Sequence, residues 1–492
     1  MDNRRRMRYH NPYRPFLQRR LKRRKTMGRR IFSGRPGAGG TITEGVIWKP
    51  LLAFFFPILL GTFFQQLYNT ADAIIVGKFV GKQALAAVGG STSQIINLIV
   101  GFFVGLASGA SVIISQYFGA RDDRNVSRTV HTAAALSLAG GVLITVLGIV
   151  LAPAMLRMMN TPEDVVDYSL SYIRIYFLGT VPSLIYNIGS GILRAIGDSR
   201  RPLIFLIVAC MTNIVLDVVA VLGLNMGVAG AALATILSQT VSAVLVLLTL
   251  LRTGKSYRVV PRQIRFHPDL LKNTLRIGLP AGIQSVLYTV SNIIIQTSIN
   301  GFGTDAAAAW SAYSKLDCVF WMVINAFGIS ITTFAGQNFG AGKIKRMRRS
   351  VWVCAAMATA GALMVSGVLL AGAPVFYGLF SDDQAVIDLG VSILNRLAPF
   401  YITYVLVEVL SGAVRGAGDA LMPMLMSLFG VCVLRMVWLL GVVPRHNELL
   451  FMLLCYPITW SATSLMFLVY YLKGGWLKRC LKKAGVTPVE EP

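Results

Sequence analysis

Four polar residues stand inside long apolar runs, where a charge or an amide is costly and marks a candidate site: Asp72, Asn213, Asp217 and Thr235. Asn213 and Asp217 are four residues apart, so on a helix they share one face, one turn from each other. Asp72 and Asp217 lie near the same end of their runs, and Thr235 sits at a comparable depth. Two carboxylates, an amide and a hydroxyl at one depth make an oxygen-rich pocket. It suits Na⁺, a hard monovalent cation, or it traps a proton on one of two carboxylates whose ionisations oppose each other. Glu408 is the candidate acid of the C-terminal half, and Asp317, nearer the end of its run, is a weaker one. Nothing else reads as a reaction centre. The six cysteines are scattered without a C-x-x-C pair, and His10, His131, His267 and His446 are dispersed, so neither a disulfide frame nor a zinc site is expected, and no cofactor. Gly254-Lys255-Ser256 lacks the leading glycine of a phosphate-binding loop and follows an apolar run instead of a strand. Any active process must therefore draw on an ion gradient.

The elements that would position these residues are membrane-spanning helices. Of 492 residues, 55% are hydrophobic and 14% charged, with a mean hydropathy of +0.63, outside the range of soluble domains. Runs of about 20 residues, each long enough to cross the hydrocarbon layer, recur after residue 45. They are apolar on every face, as in 204–222 and 351–371, which excludes a β-barrel and predicts an all-α polytopic protein. Twelve spans are expected, near 47–74, 84–114, 129–152, 170–193, 202–222 and 228–251, then 276–300, 314–336, 351–372, 391–413, 421–441 and 449–472. Alternate loops are basic, holding among others Arg121, Arg124, Arg128, Arg200, Arg201, Lys343, Arg349, Lys478 and Lys482, whereas the intervening loops carry Glu163, Asp164, Asp167, Asp382, Asp383 and Asp388. With basic loops inside, both termini are expected in the cytoplasm of a cell-membrane protein. The formal charge of +26 is concentrated in these loops and the N-terminus. That placement points to the anionic bilayer surface rather than to nucleic acid.

The second half repeats the first at a constant offset of 221 residues. Gln116-Tyr-Phe-Gly-Ala120 falls on Gln337-Asn-Phe-Gly-Ala341, Arg194 on Arg415, Gly197-Asp198 on Gly418-Asp419, and Pro202 on Pro423, with no gap. Six spans separate equivalent positions, so the halves share an orientation and form two pseudo-symmetric six-helix bundles about an axis along the membrane normal. The expected organisation is a disordered basic tail (1–45), an N-lobe (46–252), a basic linker (253–275), a C-lobe (276–473) and a C-terminal tail (474–492). Pro57 and Pro280 interrupt the first helix of each half and predict kinks, with Pro57 the candidate hinge. Gly105-Leu-Ala-Ser-Gly109 and Gly227-Val-Ala-Gly-Ala231 read as close helix contacts.

Together, Asp72-Ala-Ile-Ile-Val-Gly77, Gln116-Tyr-Phe-Gly-Ala120 and its repeat, Leu193-Arg-Ala-Ile-Gly-Asp198 and its repeat, and Asn213 with Asp217 resemble the multidrug and toxic compound extrusion (MATE) transporters over about residues 45–475. The resemblance implies a V-shaped pair of lobes that exports cationic or amphipathic drugs in exchange for Na⁺ or H⁺. It adds Asn187 to the cation-coupling set Asp72, Asn213, Asp217 and Thr235, and places Ser190 where a second asparagine often stands. The C-lobe departs from the branch with an acid in the middle of span 7, because Gln284-Ser-Val-Leu-Tyr288 has none; Glu408 does not align with that acid.

On this reading the substrate meets aromatic and methionine side chains, for which Phe64, Tyr68, Tyr186, Tyr288 and Met322 are the candidates. The chain is expected to act as a monomer on small molecules within the bilayer. Two other readings remain: a lipid-linked precursor flippase, which would want cationic side chains around a pyrophosphate where the spans offer chiefly Arg435, and a membrane-embedded enzyme, which would want a clustered acid/base or metal set.

Overall fold

The computed structural model describes residues 42–159, 161–445 and 448–489, so nearly all of the basic tail expected to be disordered lies outside the described residues. Among those described there is no strand. Eleven helices are long and apolar enough to cross a membrane: α1 Trp48–Phe79, α2 Gln83–Gly119, α3 Asp123–Met158, α5 Arg200–Gly223, α6 Gly227–Arg252, α7 Pro268–Asn300, α8 Thr304–Gly340, α9 Ile344–Ala371, α10 Gln384–Gly416, α11 Leu421–Arg445 and α12 Leu449–Lys473. The twelfth span, α4, is broken into Glu163–Leu178 and Thr180–Ala195. At the break, a side chain on Gly179 would overlap Ile236 of α6. The Thr145 and Thr180 hydroxyls both donate to the Phe177 carbonyl, which the break leaves without a helical partner. A short amphipathic helix, α13 (Gly475–Ala484), follows the last span.

The repeat is visible in local geometry. In α10 a 3₁₀ turn at Ala398–Phe400 interrupts the helix at the position equivalent to Gly179. Helices α5 and α11 widen into π turns at Val218–Gly223 and Trp438–Val442, again equivalent positions. Gly197 and Gly418 adopt φ of +91° and +99°, which only glycine takes without strain. The aspartate after each glycine then caps the next helix: Asp198 accepts from the Arg200 and Arg201 amides, and Asp419 from the Met422 amide.

The lobes are joined at the end that carries the basic loops. Phe55 stacks on Phe327 with ring centroids 4.0 Å apart, and Phe54 meets Phe334 edge-on. Helices α2 and α7 cross backbone to backbone: a methyl on Gly105 would lie 2.6 Å from the Gly282 Cα, and one on Gly109 2.7 Å from the Gly278 nitrogen. The small-residue run at 105–109 is thus a lobe-to-lobe contact. Beyond it, the repeated Gln-x-Phe-Gly segments form a reciprocal pair. Gln116 Nε2 donates to the Gly416 carbonyl of the C-lobe at 2.8 Å, and Gln337 Nε2 donates to the Ala195 carbonyl of the N-lobe at 2.7 Å. Gly119 and Gly340 lie directly against the Gln337 and Gln116 backbones, so the ends of α2 and α8 touch. The two repeated motifs are therefore the two sides of one interlobe joint.

One boundary differs from the sequence expectation. Helix α7 begins at Pro268, eight residues before the expected start of the C-lobe at 276, because proline at the first helical position and Asp269 in the first turn both favour an early start. Residues 253–267 are anchored on the N-lobe through Val259, Tyr257 and Ile264, which pack into its hydrophobic core. Helices α1 and α7 run without interruption through Pro57 and Pro280.

Candidate cation site in the N-lobe

Asp72 on α1, Asn213 and Asp217 on α5 and Thr235 on α6 meet in one buried pocket; their exposures are 5%, 0%, 0% and 4%. The Thr235 hydroxyl donates to Asp72 Oδ2 at 3.1 Å, and Asn213 Nδ2 approaches Asp72 Oδ1 at 3.5 Å. The Asp72 and Asp217 carboxyl groups lie within interaction reach of each other. Both Asp217 oxygens and Asn213 Oδ1 are buried with no hydrogen-bond donor. Asp217 ends the α-helical part of α5, just before the π turn that re-aims the chain. A buried carboxylate without a donor is among the costliest groups a membrane interior can hold, and a proton or a metal cation relieves that cost.

The surroundings include Gln239, Tyr172 and Tyr176, which the sequence reading missed, and Tyr68, which it named as a substrate contact. Tyr68, one turn before Asp72, accepts from Gln239 Nε2 at 3.4 Å. Tyr172 and Tyr176 of α4 stack on one another and lie within electrostatic reach of Asp72. Their signal in the sequence was a Tyr-x-x-x-Tyr pair on one helical face, but nothing local ties that face to α1. Asn187 is not brought into the pocket's hydrogen bonds: its amide donates one turn back, to the Ser183 carbonyl at 2.9 Å and towards the Ser183 hydroxyl at 3.5 Å. Ser190 is fully buried with its hydroxyl unpartnered.

The aromatic candidates separate into groups. Tyr186 corrects the expectation: its ring packs in the N-lobe core and its hydroxyl donates to the Pro202 carbonyl at 3.2 Å, so it is a packing residue and not a cavity wall. Tyr68 adjoins the acidic pocket. Phe64 and Met322 are half-buried. Tyr288 and Gln284 converge on the Ser427 hydroxyl, at 3.1 and 2.8 Å.

The C-lobe does not repeat the pocket. The 221-residue offset puts Ile293, Leu434, Trp438 and Tyr456 at the positions of Asp72, Asn213, Asp217 and Thr235. Glu408 falls at the position of Asn187, with its carboxylate directly over Gly328 of α8, where no side chain would fit. Asp317 accepts from Trp321 Nε1 at 2.6 Å, beside the Tyr313 and Tyr401 hydroxyls, which are 3.2 Å apart. Arg435 is 2% exposed, donates to Ser291 at 3.2 Å and lies over the Tyr456 ring at 4.5 Å. It is sequestered inside the C-lobe, which removes the principal cation a flippase reading had. Among the described residues no group of three His, Cys, Asp or Glu is placed to hold a metal ion.

Comparison with known proteins agrees with this architecture. The chain is 29% identical over 443 residues to the probable multidrug resistance protein YoeA of Bacillus subtilis, covering 86% of this chain and 93% of the relative. It is 21% identical to the multidrug export protein MepA of Staphylococcus haemolyticus, covering 91% and 98%. The solved structure of a multidrug resistance MATE family transporter in an outward-facing conformation superposes with a TM-score of 0.83 at 24% identity, over 89% of this chain and 98% of that one. The MatE family model matches twice, at residues 57–219 and 280–439, once in each half. With its repeated six-helix plan and this double match, the chain belongs to the MatE family of multi-pass membrane transporters.

Proposed function

We propose that the protein is an antiporter that exports small organic cations and amphipathic drugs in exchange for Na⁺ or H⁺ taken up at the N-lobe pocket. The observation that carries this reading is the pair of buried carboxyl groups, one of them without any donor. Asp72, Asp217, Asn213 Oδ1 and the Thr235 hydroxyl supply an all-oxygen set that holds either ion. By the distribution of Arg and Lys, the basic face is cytoplasmic, as are both termini, and the interlobe joint closes the cytoplasmic side. In this state the pocket takes its cation from outside. The bound cation shifts α1 about Pro57, with consequences for the drug-binding space beside Tyr68. For exchange to occur, the cation must bind the two states unequally. The names of the relatives support the drug class: YoeA, YpnP and MepA are described as multidrug resistance or export proteins.

The test is ethidium efflux from cells lacking their own exporters, at matched membrane expression. Asp72→Asn and Asp217→Asn should each abolish efflux, and the wild type's dependence on Na⁺ or pH names the ion. Full efflux in both variants would overturn the reading.

A further inference from the structure

At the basic face, between the start of α3 and the linker, lies a cleft of about 380 Å³ lined by Ser127, Arg128, His131, Arg262, Gln263, Arg265 and His267. No acid lines it. Arg128 is the arginine with a carboxylate partner, Asp269 at 3.2 Å. Arg265 reaches only the His267 ring, through Nε at 3.4 Å, and Arg262 has no hydrogen bond or ion pair among the described residues. The cleft is built rather than incidental. The His131 ring accepts from the Val260 amide at 3.0 Å, and His267 is fixed by two contacts to the Thr132 hydroxyl, its ring Nδ1 at 3.0 Å and its backbone amide at 3.3 Å. Since Thr132 donates its own proton to the Arg128 carbonyl, His267 Nδ1 must be the donor to it, leaving Nε2 to accept from Arg265. Burial first, and then the neighbouring Arg128 and Arg265 charges, hold the imidazole below its ordinary pKa. Beside it, Phe266 is 45% exposed, two residues before the start of α7 at Pro268.

We propose that this cleft binds the phosphate of an anionic phospholipid from the leaflet on the basic face. Convergent guanidinium groups match the geometry of phosphate oxygens, and basic side chains near a membrane surface attract anionic lipids. On this proposal the exposed ring of Phe266, beside the cleft and just before the α7 span, would face the acyl region next to a bound headgroup. The Ser127 hydroxyl and the Gln263 amide supply neutral hydrogen bonds for a polar headgroup. Because Arg128 also holds Asp269 at the start of α7, a bound headgroup sits on the strap that joins the two lobes.

Native mass spectrometry of the full-length, detergent-purified transporter tests this with phosphatidylglycerol as the probe and phosphatidylcholine as its zwitterionic counterpart. The wild type should retain a phosphatidylglycerol where phosphatidylcholine is lost. Arg262→Ala with Arg265→Ala removes two exposed side chains and should weaken retention about thirtyfold. Lys478→Ala with Lys482→Ala on α13 removes the same charge elsewhere and should change it far less. Titration with inorganic phosphate separates a lipid headgroup from a free anion: it should fail to displace the lipid. Equal retention by the arginine variant, equal loss in both variants, absence of retention in the wild type, or displacement by millimolar phosphate would each overturn the proposal.

Discussion

Gln116 and Gln337 offer a perturbation whose size follows from the structure. Each amide donates to a backbone carbonyl at the other lobe's turn, at 2.8 and 2.7 Å, and each carbonyl stands at the end of a broken span. An intramolecular hydrogen bond of this kind contributes about 1 kcal/mol net. Replacing one glutamine by leucine keeps the volume and removes the donor, which should shift the ratio of joined to separated lobes about fivefold. The two sites act on opposite sides of the joint and are related by the repeat, so the double variant should shift it about thirtyfold. Spin labels at Arg124→Cys and Arg349→Cys, both exposed on the basic face of different lobes, report the separation by pulsed electron resonance. The wild type should show one short distance; the double variant should add a longer one, and each single variant an intermediate fraction. An unchanged distance distribution in the double variant would refute the reasoning, because the two bonds would then not distinguish the states.

Other consequences follow from the same structure. Gly109→Leu should disrupt the α2–α7 crossing by about 1–3 kcal/mol or more, since there is no space beside the Thr274 and Gly278 backbone, and should lower the melting temperature of the purified protein. Glu408→Gln should leave drug efflux within about a factor of two, because the C-lobe lacks the N-lobe's paired acids; loss of efflux would move the coupling site. Pro57→Ala restores a backbone donor inside α1 and should keep the melting temperature while slowing transport, read as efflux at matched expression. Burial and the neighbouring arginines hold the His267 imidazole below its ordinary pKa in the folded protein, so its contribution is present above the ordinary histidine value and is lost as pH falls below about 6.5 towards and through the depressed folded value. Limited proteolysis of the 253–267 segment should therefore quicken between pH 7 and pH 5, and His267→Gln should flatten that dependence.

The parts legible in the sequence were those written in hydropathy and charge. Twelve spans, alternating basic loops and the 221-residue repeat all follow from one-dimensional patterns. Helix ends did not: α7 starts at Pro268, ahead of its expected span, and α8 runs past its expected span at both ends, with Ala306, Ala309 and Trp310 buried in the C-lobe core at its start and Gly340 against the Gln116 backbone at its finish. The break at Gly179 was passed over although Gly179 and Pro182 carry a signal for it; the close approach of Ile236 that fixes it needed the three-dimensional packing. Asp72, Asn213, Asp217 and Thr235 were legible because an acid in an apolar run is rare and their depths matched. Tyr172, Tyr176 and Gln239 were not, because only the packing of α4 and α6 against α1 brings them near. The repeated Gln-x-Phe-Gly segment was seen as a repeat, but its partner, the Gly-Asp turn of the opposite half, needed the three-dimensional joint.

The central claim is that the N-lobe carboxyl pair exchanges a cation for drug. Its most direct test is to add ethidium to the purified transporter, in weak buffer or in labelled Na⁺, and measure the cation released as the drug binds. The account predicts release from the wild type and none from Asp72→Asn or Asp217→Asn, with both variants still folded. Undiminished release from the two variants would contradict it.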